Sequence, residues 1–268
     1  MKQIVNSYIS PDWPNVEVEY HKPIELFIDG FQGYDHTKDS FKILWVKESE
    51  AISKFKTTAI EHHKRFDVVL AYDEDVVREC ENSYFMPFGT TWVSDFDLNT
   101  QKKFQVSHLT GFKQMTNGHI MRQKLHYKQE QIVVPRDFYI SRHGGVENAF
   151  NNKVLGDSKN PLFESQFHVC IENSTQKNFF TEKLVDCLIT KTVPIYWGCE
   201  NIEVFFNTKG FVIVNDLKGI IDACNSLTPN TYSSMLEYVE ENYQKALSYA
   251  DLRKNFRIAL LDILSKKQ

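Results

Sequence analysis

The sequence predicts an α/β fold built on mainly parallel strands, and two observations predict it. Short apolar runs alternate with helical stretches along most of the chain. Several of those runs are nearly continuous in apolar residues, as strands covered on both faces must be.

The elements follow in order. Apolar runs predict strands at Ile24–Ile28, Phe41–Val46, Phe66–Ala71, Gln105–Leu109, Gln131–Val134, Phe167–Ile171, Val193–Trp197 and Gly210–Val214. Apolar residues at helical spacing predict helices at Ser49–His63, Glu74–Glu81, Gly118–Lys128, Thr181–Thr190, Leu217–Ser226, Thr231–Ala250 and Asp251–Lys266. The turn-like Pro87-Phe88-Gly89-Thr90-Thr91 and the polar Ser94-Asp95-Phe96-Asp97 mark a break before Gln101. This divides the chain into domains 1–100 and 101–268, with the last helix free to pack back on the first. In open α/β sheets ligands sit beyond the carboxyl ends of the strands. Residues that follow strands are therefore the place to look for chemistry.

Composition bounds the function. The chain has 268 residues, 42% of them apolar and 25% charged, which suits a folded core and argues against disorder. A net charge of −4 argues against nucleic acid as a partner. The five cysteines, Cys80, Cys170, Cys187, Cys199 and Cys224, are odd in number and lack C-x-x-C spacing. A zinc site or disulfide framework is therefore not expected, and a reducing compartment is. No signal peptide and no apolar run of membrane-spanning length is visible, so the expected location is the cytoplasm.

The most informative stretch follows the Phe167–Ile171 strand. It reads Glu172-Asn173-Ser174, then Phe179-Phe180-Thr181-Glu182-Lys183-Leu184. This is a strand, a polar loop and a helix start. Asn178 or Thr181 can cap the helix, and Leu184, Val185, Leu188 and Ile189 make its buried stripe. Lys183 lies in the first turn, where a cation opposes the helix dipole by about 0.3–1 kcal/mol. A bound phosphate would reverse that penalty. Taken alone, Lys183 reads more readily as a solvated lysine beside a carboxylate. Neither G-x-G-x-x-G nor G-x-x-x-x-G-K-[ST] occurs, so glycine loops do not cradle phosphate here.

The wider pattern joins this stretch to Val193-Pro194-Ile195-Tyr196-Trp197-Gly198 and Phe211-Val212-Ile213-Val214-Asn215-Asp216. It resembles the donor-binding motif of the α1,3/4-fucosyltransferases, glycosyltransferase family 10, in their bacterial or viral anchor-free form. The resemblance implies a GT-B-type fold, two Rossmann-like domains facing a cleft, with the N-terminal one reduced and on the acceptor side. It implies GDP-fucose as donor substrate, no required cofactor or metal, and a glycan acceptor. Lys183 would meet the diphosphate, Glu182 the ribose hydroxyls, and Asn173 would lie in the donor site. Phe179 matches a position where bacterial relatives carry a tyrosine beside the guanine. The family's upstream arginine is matched by Arg122 in Gly118-His119-Ile120-Met121-Arg122, with Lys124 as fallback; a guanidinium suits phosphate because it binds bidentately and stays charged.

The family's proposed base is a glutamate in a G-E-N-E-like stretch. Lys47-Glu48-Ser49-Glu50 occupies that place, and Arg65-Phe66-Asp67 through Asp73 resembles the family's stretch downstream. Glu48 is thereby the expected base and Glu50 the alternative; Ser49 also reads as a plain N-cap. A carboxylate suits removal of the acceptor proton. The Asp95-Phe96-Asp97 pattern, which holds metal in other transferases, is discounted. Arg142-His143-Gly144-Gly145 is a weaker donor-loop candidate. The expected activity is inverting fucosyl transfer from GDP-fucose to a glycan hydroxyl. Transfer from another nucleotide sugar, or binding of nucleotide or carbohydrate without catalysis, are the alternatives.

Overall fold

A computed structural model describes residues 1–7, 16–142 and 153–267. Its strands are β1 (Lys2–Ile4), β2 (Asn6–Ser7), β3 (Glu17–Glu19), β4 (Ile24–Ile28), β5 (Phe41–Val46), β6 (Val68–Ala71), β7 (Ser83–Phe85), β8 (Lys103–Thr110), β9 (Arg136–Ser141), β10 (Lys153–Leu155), β11 (Ser165–Ile171), β12 (Val193–Trp197) and β13 (Val212–Ile213). Its helices are α1 (Glu50–Ser53), α2 (Lys56–His62), α3 (Glu74–Glu79), α4 (Asn117–Tyr127), α5 (Glu182–Ile189), α6 (Leu217–Ser226), α7 (Pro229–Ala250) and α8 (Leu252–Ser265). The chain forms two compact units: Met1–Phe88 with Lys177–Phe179 and Asp251–Gln268, and Gly89–Gln176 with Phe180–Ala250. The sequence boundary at residue 100 therefore falls inside the second unit, and the first unit takes back three residues from mid-chain.

In the first unit β2, β4, β5, β6 and β7 lie side by side in that order, all parallel. A monotonic order with right-handed crossovers puts every connecting helix on one face. That face buries Phe27, Leu44, Val46, Val69 and Ala71 with Ala59 and Val76 of the helices. The period of two sends Leu26, Ile28, Ile43, Trp45, Val68 and Leu70 to the other face. There α8 supplies Phe256, Ala259, Leu260, Ile263 and Leu264, with Trp45 stacked on Phe256 at 5.8 Å. This is the physical reason the last helix belongs to the first unit.

The second unit holds a parallel sheet in the order β10-β9-β8-β11-β12-β13. Counted from β8 as the first strand, the order is 3-2-1-4-5-6, the dinucleotide-fold order, with its reversal between β8 and β11. Val169, Ile171 and Ile195 face α4 and α6 through Leu125, Ile220 and Ile221. Cys170 and Tyr196 face α5 through Leu184, Val185 and Leu188. All five cysteines are buried, and none of them forms a disulfide.

Two expected elements differ. Gln131–Val134 is not a strand. It follows a 3-10 turn at Gln129–Gln131, with Ile132 buried and Val133 80% exposed. The strand starts after Pro135, which has no N–H to give to a ladder, though its carbonyl accepts from the Val106 amide at 2.9 Å. The expected single helix Ser49–His63 is broken at Lys54, whose φ is 51°. The break turns Phe55 against Phe31, ring centroids 5.2 Å apart.

Candidate functional site

Four of the six expected site residues gather at the reversal of the second sheet. β11 ends at Ile171, and Glu172 and Asn173 follow it directly. Glu172 is fully buried and accepts twice from Thr181: from its amide at 2.8 Å and its hydroxyl at 2.8 Å. Thr181 in turn caps α5, its hydroxyl accepting from the Lys183 amide at 3.3 Å. The turn after β11 and the first turn of α5 are thus one hydrogen-bonded unit. Of the two possible caps, Thr181 is the one used; Asn178 has a φ of 60° and belongs to the first unit.

Two glycines permit the close approach. A Cβ on Gly118 would lie 1.8 Å from the Glu172 carbonyl oxygen, and one on Gly198 would lie 2.6 Å from Glu172 Cγ. Gly118 also donates its amide to the Asn173 carbonyl at 3.1 Å. The start of α4, which follows β8, is thereby seated on the turn that follows β11.

The electrostatics keep Lys183 charged. Burial works against its proton, but Glu182 and Glu172 outweigh that and raise its pKa. Its Nζ lies 3.1 Å from Glu182 Oε1 and 3.7 Å from Glu172 Oε2, with the side chain 25% exposed. Burial pushes the Glu172 carboxyl up, partly offset by Lys183. Burial also pushes Glu182 up, but Lys183 and Lys159 prevail and hold it below its ordinary value. An ammonium has three N–H donors, and two of Lys183's go to Thr181 Oγ1 at 3.0 Å and Glu182 Oε1. The third makes no hydrogen bond among the described residues and has Glu172 Oε2 3.7 Å from the nitrogen.

Arg122 is engaged at the end of β11. One terminal nitrogen donates to the Ile171 carbonyl at 2.5 Å and the Glu172 carbonyl at 3.4 Å; the other donates to Asn173 Oδ1 at 2.9 Å. Arg122 is 9% exposed, and three of the five N–H donors of its guanidinium hold the end of β11 and Asn173. Lys124, the fallback, is exposed. His119 lies in the first turn of α4. Its Nδ1 pairs with Thr116 Oγ1 at 2.7 Å. Burial, then Arg122, Lys113 and Lys183, push it down to about 4, so it is neutral at pH 7.

Phe179 is corrected as well. It is 2% exposed and packs in the first unit against Tyr72, ring centroids 5.0 Å apart, so it presents no face to a base. Glu48 also lies in the first unit, just beyond β5, half-buried. Its carboxylate makes no hydrogen bond or ion pair with the described residues. Glu50, the alternative, accepts from the Lys56 amide at 3.0 Å and so caps α2.

Sequence reasoning did not single out Glu172 and Gly118 as site residues. An acid after a strand reads as solvated, and a glycine in a helical pattern carries no sign of what it touches. The signal for Glu172 is the mostly apolar Phe167-His168-Val169-Cys170-Ile171 run before it, whose burial carries on to the residue at its end. Asp97 holds a local turn by accepting from the Asn99 amide at 2.9 Å. Among the described residues no group of three or more His, Cys, Asp or Glu is disposed to hold a metal ion. None of their helices is long and apolar enough to cross a membrane. His143, Gly144 and Gly145 lie outside the described residues.

The chain is similar to known glycosyltransferases. The chain is 31% identical over 113 residues to α-(1,3)-fucosyltransferase FucT of Helicobacter pylori, covering 42% of this chain and 23% of the relative. It is 30% identical over 115 residues to 4-galactosyl-N-acetylglucosaminide 3-α-L-fucosyltransferase 9 of Bos taurus, covering 42% of this chain and 30% of the relative. It thus spans less than a third of the curated relatives it matches. A crystal structure of an α1,3-fucosyltransferase with GDP shares its fold, with a TM-score of 0.50 at 14% identity, covering 90% of this chain and 78% of the other. The fold is that of the GT-B glycosyltransferases. Residues 136–268 match the model of glycosyltransferase family 10 (fucosyltransferase), C-terminal part, so the chain carries a domain of that family.

Proposed function

We propose that the protein transfers L-fucose from GDP-fucose to a hydroxyl of a glycan acceptor, with inversion at the anomeric carbon. The observation that carries this reading is the joined Glu172–Asn173 turn and Thr181–Lys183 helix start, within the residues matched by a fucosyltransferase family. In this reading Lys183 and the amides opening α5 take the charge of the diphosphate, where charge grows as the donor bond breaks. Glu182 takes the ribose hydroxyls. Asn173 borders the donor, held there by Arg122. The acceptor oxygen bonds to the anomeric carbon as that carbon's bond to the phosphate oxygen breaks. Glu48 receives the acceptor proton, and GDP leaves. The scheme uses no divalent metal.

The test incubates the protein with GDP-fucose and a 4-galactosyl-N-acetylglucosaminide in the presence of EDTA. Product mass and GDP release are followed. Fucosylated product is expected, and Lys183→Ala should lower kcat/KM by roughly 100-fold, the size of losing one donor to a developing charge. No transfer, no hydrolysis of GDP-fucose and no GDP binding by calorimetry would sink the reading. The burial of Phe179 leaves the base without the aromatic partner the sequence suggested, which favours testing a second donor class. UDP binding tighter than GDP in the same calorimeter would move the proposal to a UDP-sugar.

A further inference from the structure

Glu48 is held by two side chains that neither its motif nor the family match singles out. β4, β5 and β6 are adjacent parallel strands, with Ile28 opposite Trp45 and Val46 opposite Ala71. The first residue beyond β4 is Asp29, the second beyond β5 is Glu48, and the first beyond β6 is Tyr72. Asp29 Oδ1 accepts from the Lys47 amide at 2.8 Å, and both its oxygens accept from the Glu48 amide, at 3.2 and 3.1 Å. From the other side the Tyr72 hydroxyl donates to the Glu48 carbonyl at 3.2 Å. Both polar groups of the Glu48 backbone are therefore pinned by side chains, while its carboxylate is left unengaged by the described residues.

Two further features mark the arrangement as built. Asp29 has a φ of 48°, a left-handed conformation that costs a non-glycine residue energy and is tolerated where the surroundings enforce it. Its own amide continues the ladder to the Trp45 carbonyl at 3.0 Å, which fixes the turn. Tyr72 is 2% exposed and held in place by Phe179. Burial raises its phenol, so it keeps its proton and stays a donor.

We propose that Asp29 and Tyr72 are positioning residues that aim the Glu48 carboxylate by gripping its backbone from the two neighbouring strands. This rests on the reading of Glu48 as the base. Neither residue is assigned contact with substrate. Their effect belongs on the rate of the chemical step and not on the affinity for donor.

The experiment compares variants in single-turnover fucosyl transfer to a 4-galactosyl-N-acetylglucosaminide, with GDP affinity from calorimetry and thermal unfolding beside it. Asp29→Gly keeps the left-handed conformation accessible and removes the carboxylate. It should slow transfer by about 10- to 100-fold, the scale of an ångström-sized misplacement, with donor KM and GDP affinity within about twofold. Asp29→Asn retains an oxygen for the two amides and tolerates the same φ, so it should recover most of the rate. Tyr72→Phe should slow transfer by several-fold with the same unchanged KM, and it carries the test if the glycine variant does not fold. In a Glu48→Gln background, Asp29→Gly should add nothing, because the two act as one unit.

An unchanged rate in both Asp29→Gly and Tyr72→Phe overturns the positioning role while leaving Glu48 as base. A loss as large in the Glu48→Gln background as in the wild type also overturns it, since Asp29 then acts elsewhere. Full activity of Glu48→Gln removes the base assignment itself, and the positioning proposal with it.

Discussion

Gly118→Ala is the sharpest single perturbation of the donor-side structure. The added Cβ would sit 1.8 Å from the Glu172 carbonyl oxygen, 2.8 Å from the Asn173 oxygen and 2.9 Å from the Asn173 carbon. All three are backbone atoms, so no side chain can rotate away. Relief needs α4 or the Glu172–Asn173 turn to move by about 1.2 Å, since real Cβ contacts below 3.0 Å essentially do not occur. Such a shift strains the Gly118 amide bond to Asn173 and the Arg122 clamp on the same turn. Overpacking costs about 1–3 kcal/mol, and each weakened hydrogen bond about 0.5–1.5 kcal/mol. The better helix propensity of alanine returns at most ~1 kcal/mol. The net loss is roughly 1–4 kcal/mol, or a fall in Tm of about 3–12 °C for a chain of this size. Thermal unfolding by circular dichroism reads the first quantity. Calorimetric titration with GDP reads the second, for which a loss of about tenfold or more is expected from a displacement of this size. A variant with wild-type Tm and wild-type GDP affinity would refute the close packing of α4 on the turn.

Three further outcomes follow from named groups. Phe179→Leu should cost about 1 kcal/mol of stability through poorer packing on Tyr72 and leave GDP affinity within twofold; a loss on the ~1–3 kcal/mol scale of base stacking would restore Phe179 as a base platform. His108 is buried between the Val169 and Arg122 carbonyls and is pushed down to about 3 by burial, with His126 adding to the effect. Its folded pKa lies below the unfolded value of about 6.5, so the stability it contributes is complete above that pH and drains as pH falls toward 3. Urea unfolding at pH 7, 6 and 5 should show a declining midpoint, and His108→Asn should decline less steeply. Lys102 donates to the Phe163 carbonyl at 2.5 Å and Thr192 Oγ1 at 2.7 Å without a carboxylate partner, and burial pushes it down to about 7. The unfolded chain then binds more protons between pH 7 and about 10.5, so this group makes stability rise with pH across that window. Lys102→Met should flatten the slope; an unchanged slope between pH 7 and 9 would contradict the assignment.

The sequence by itself determined most of the α/β pattern, because strands buried on both faces leave continuous apolar runs that no other element needs. β4, β5 and β12 and the helix α6 lie where the runs predict them. It also determined the helix start at Thr181–Lys183, since capping is a local hydrogen-bond requirement. What it missed depends on partners distant in the chain. Gln131–Val134 is as apolar as a strand, yet Pro135 and the pairing with β8 move the strand onward to Arg136. Phe179 and Arg122 are the residue types a nucleotide site calls for. Only the fold shows that one is spent on Tyr72 and the other on the carbonyls ending β11. Glu172 and Gly118 matter through a contact across some 54 residues, which no local pattern encodes. Residue type and spacing set which chemistry was available to this chain. Burial and hydrogen-bond partners, which arise only when distant segments meet, decided which side chains remain free to perform it.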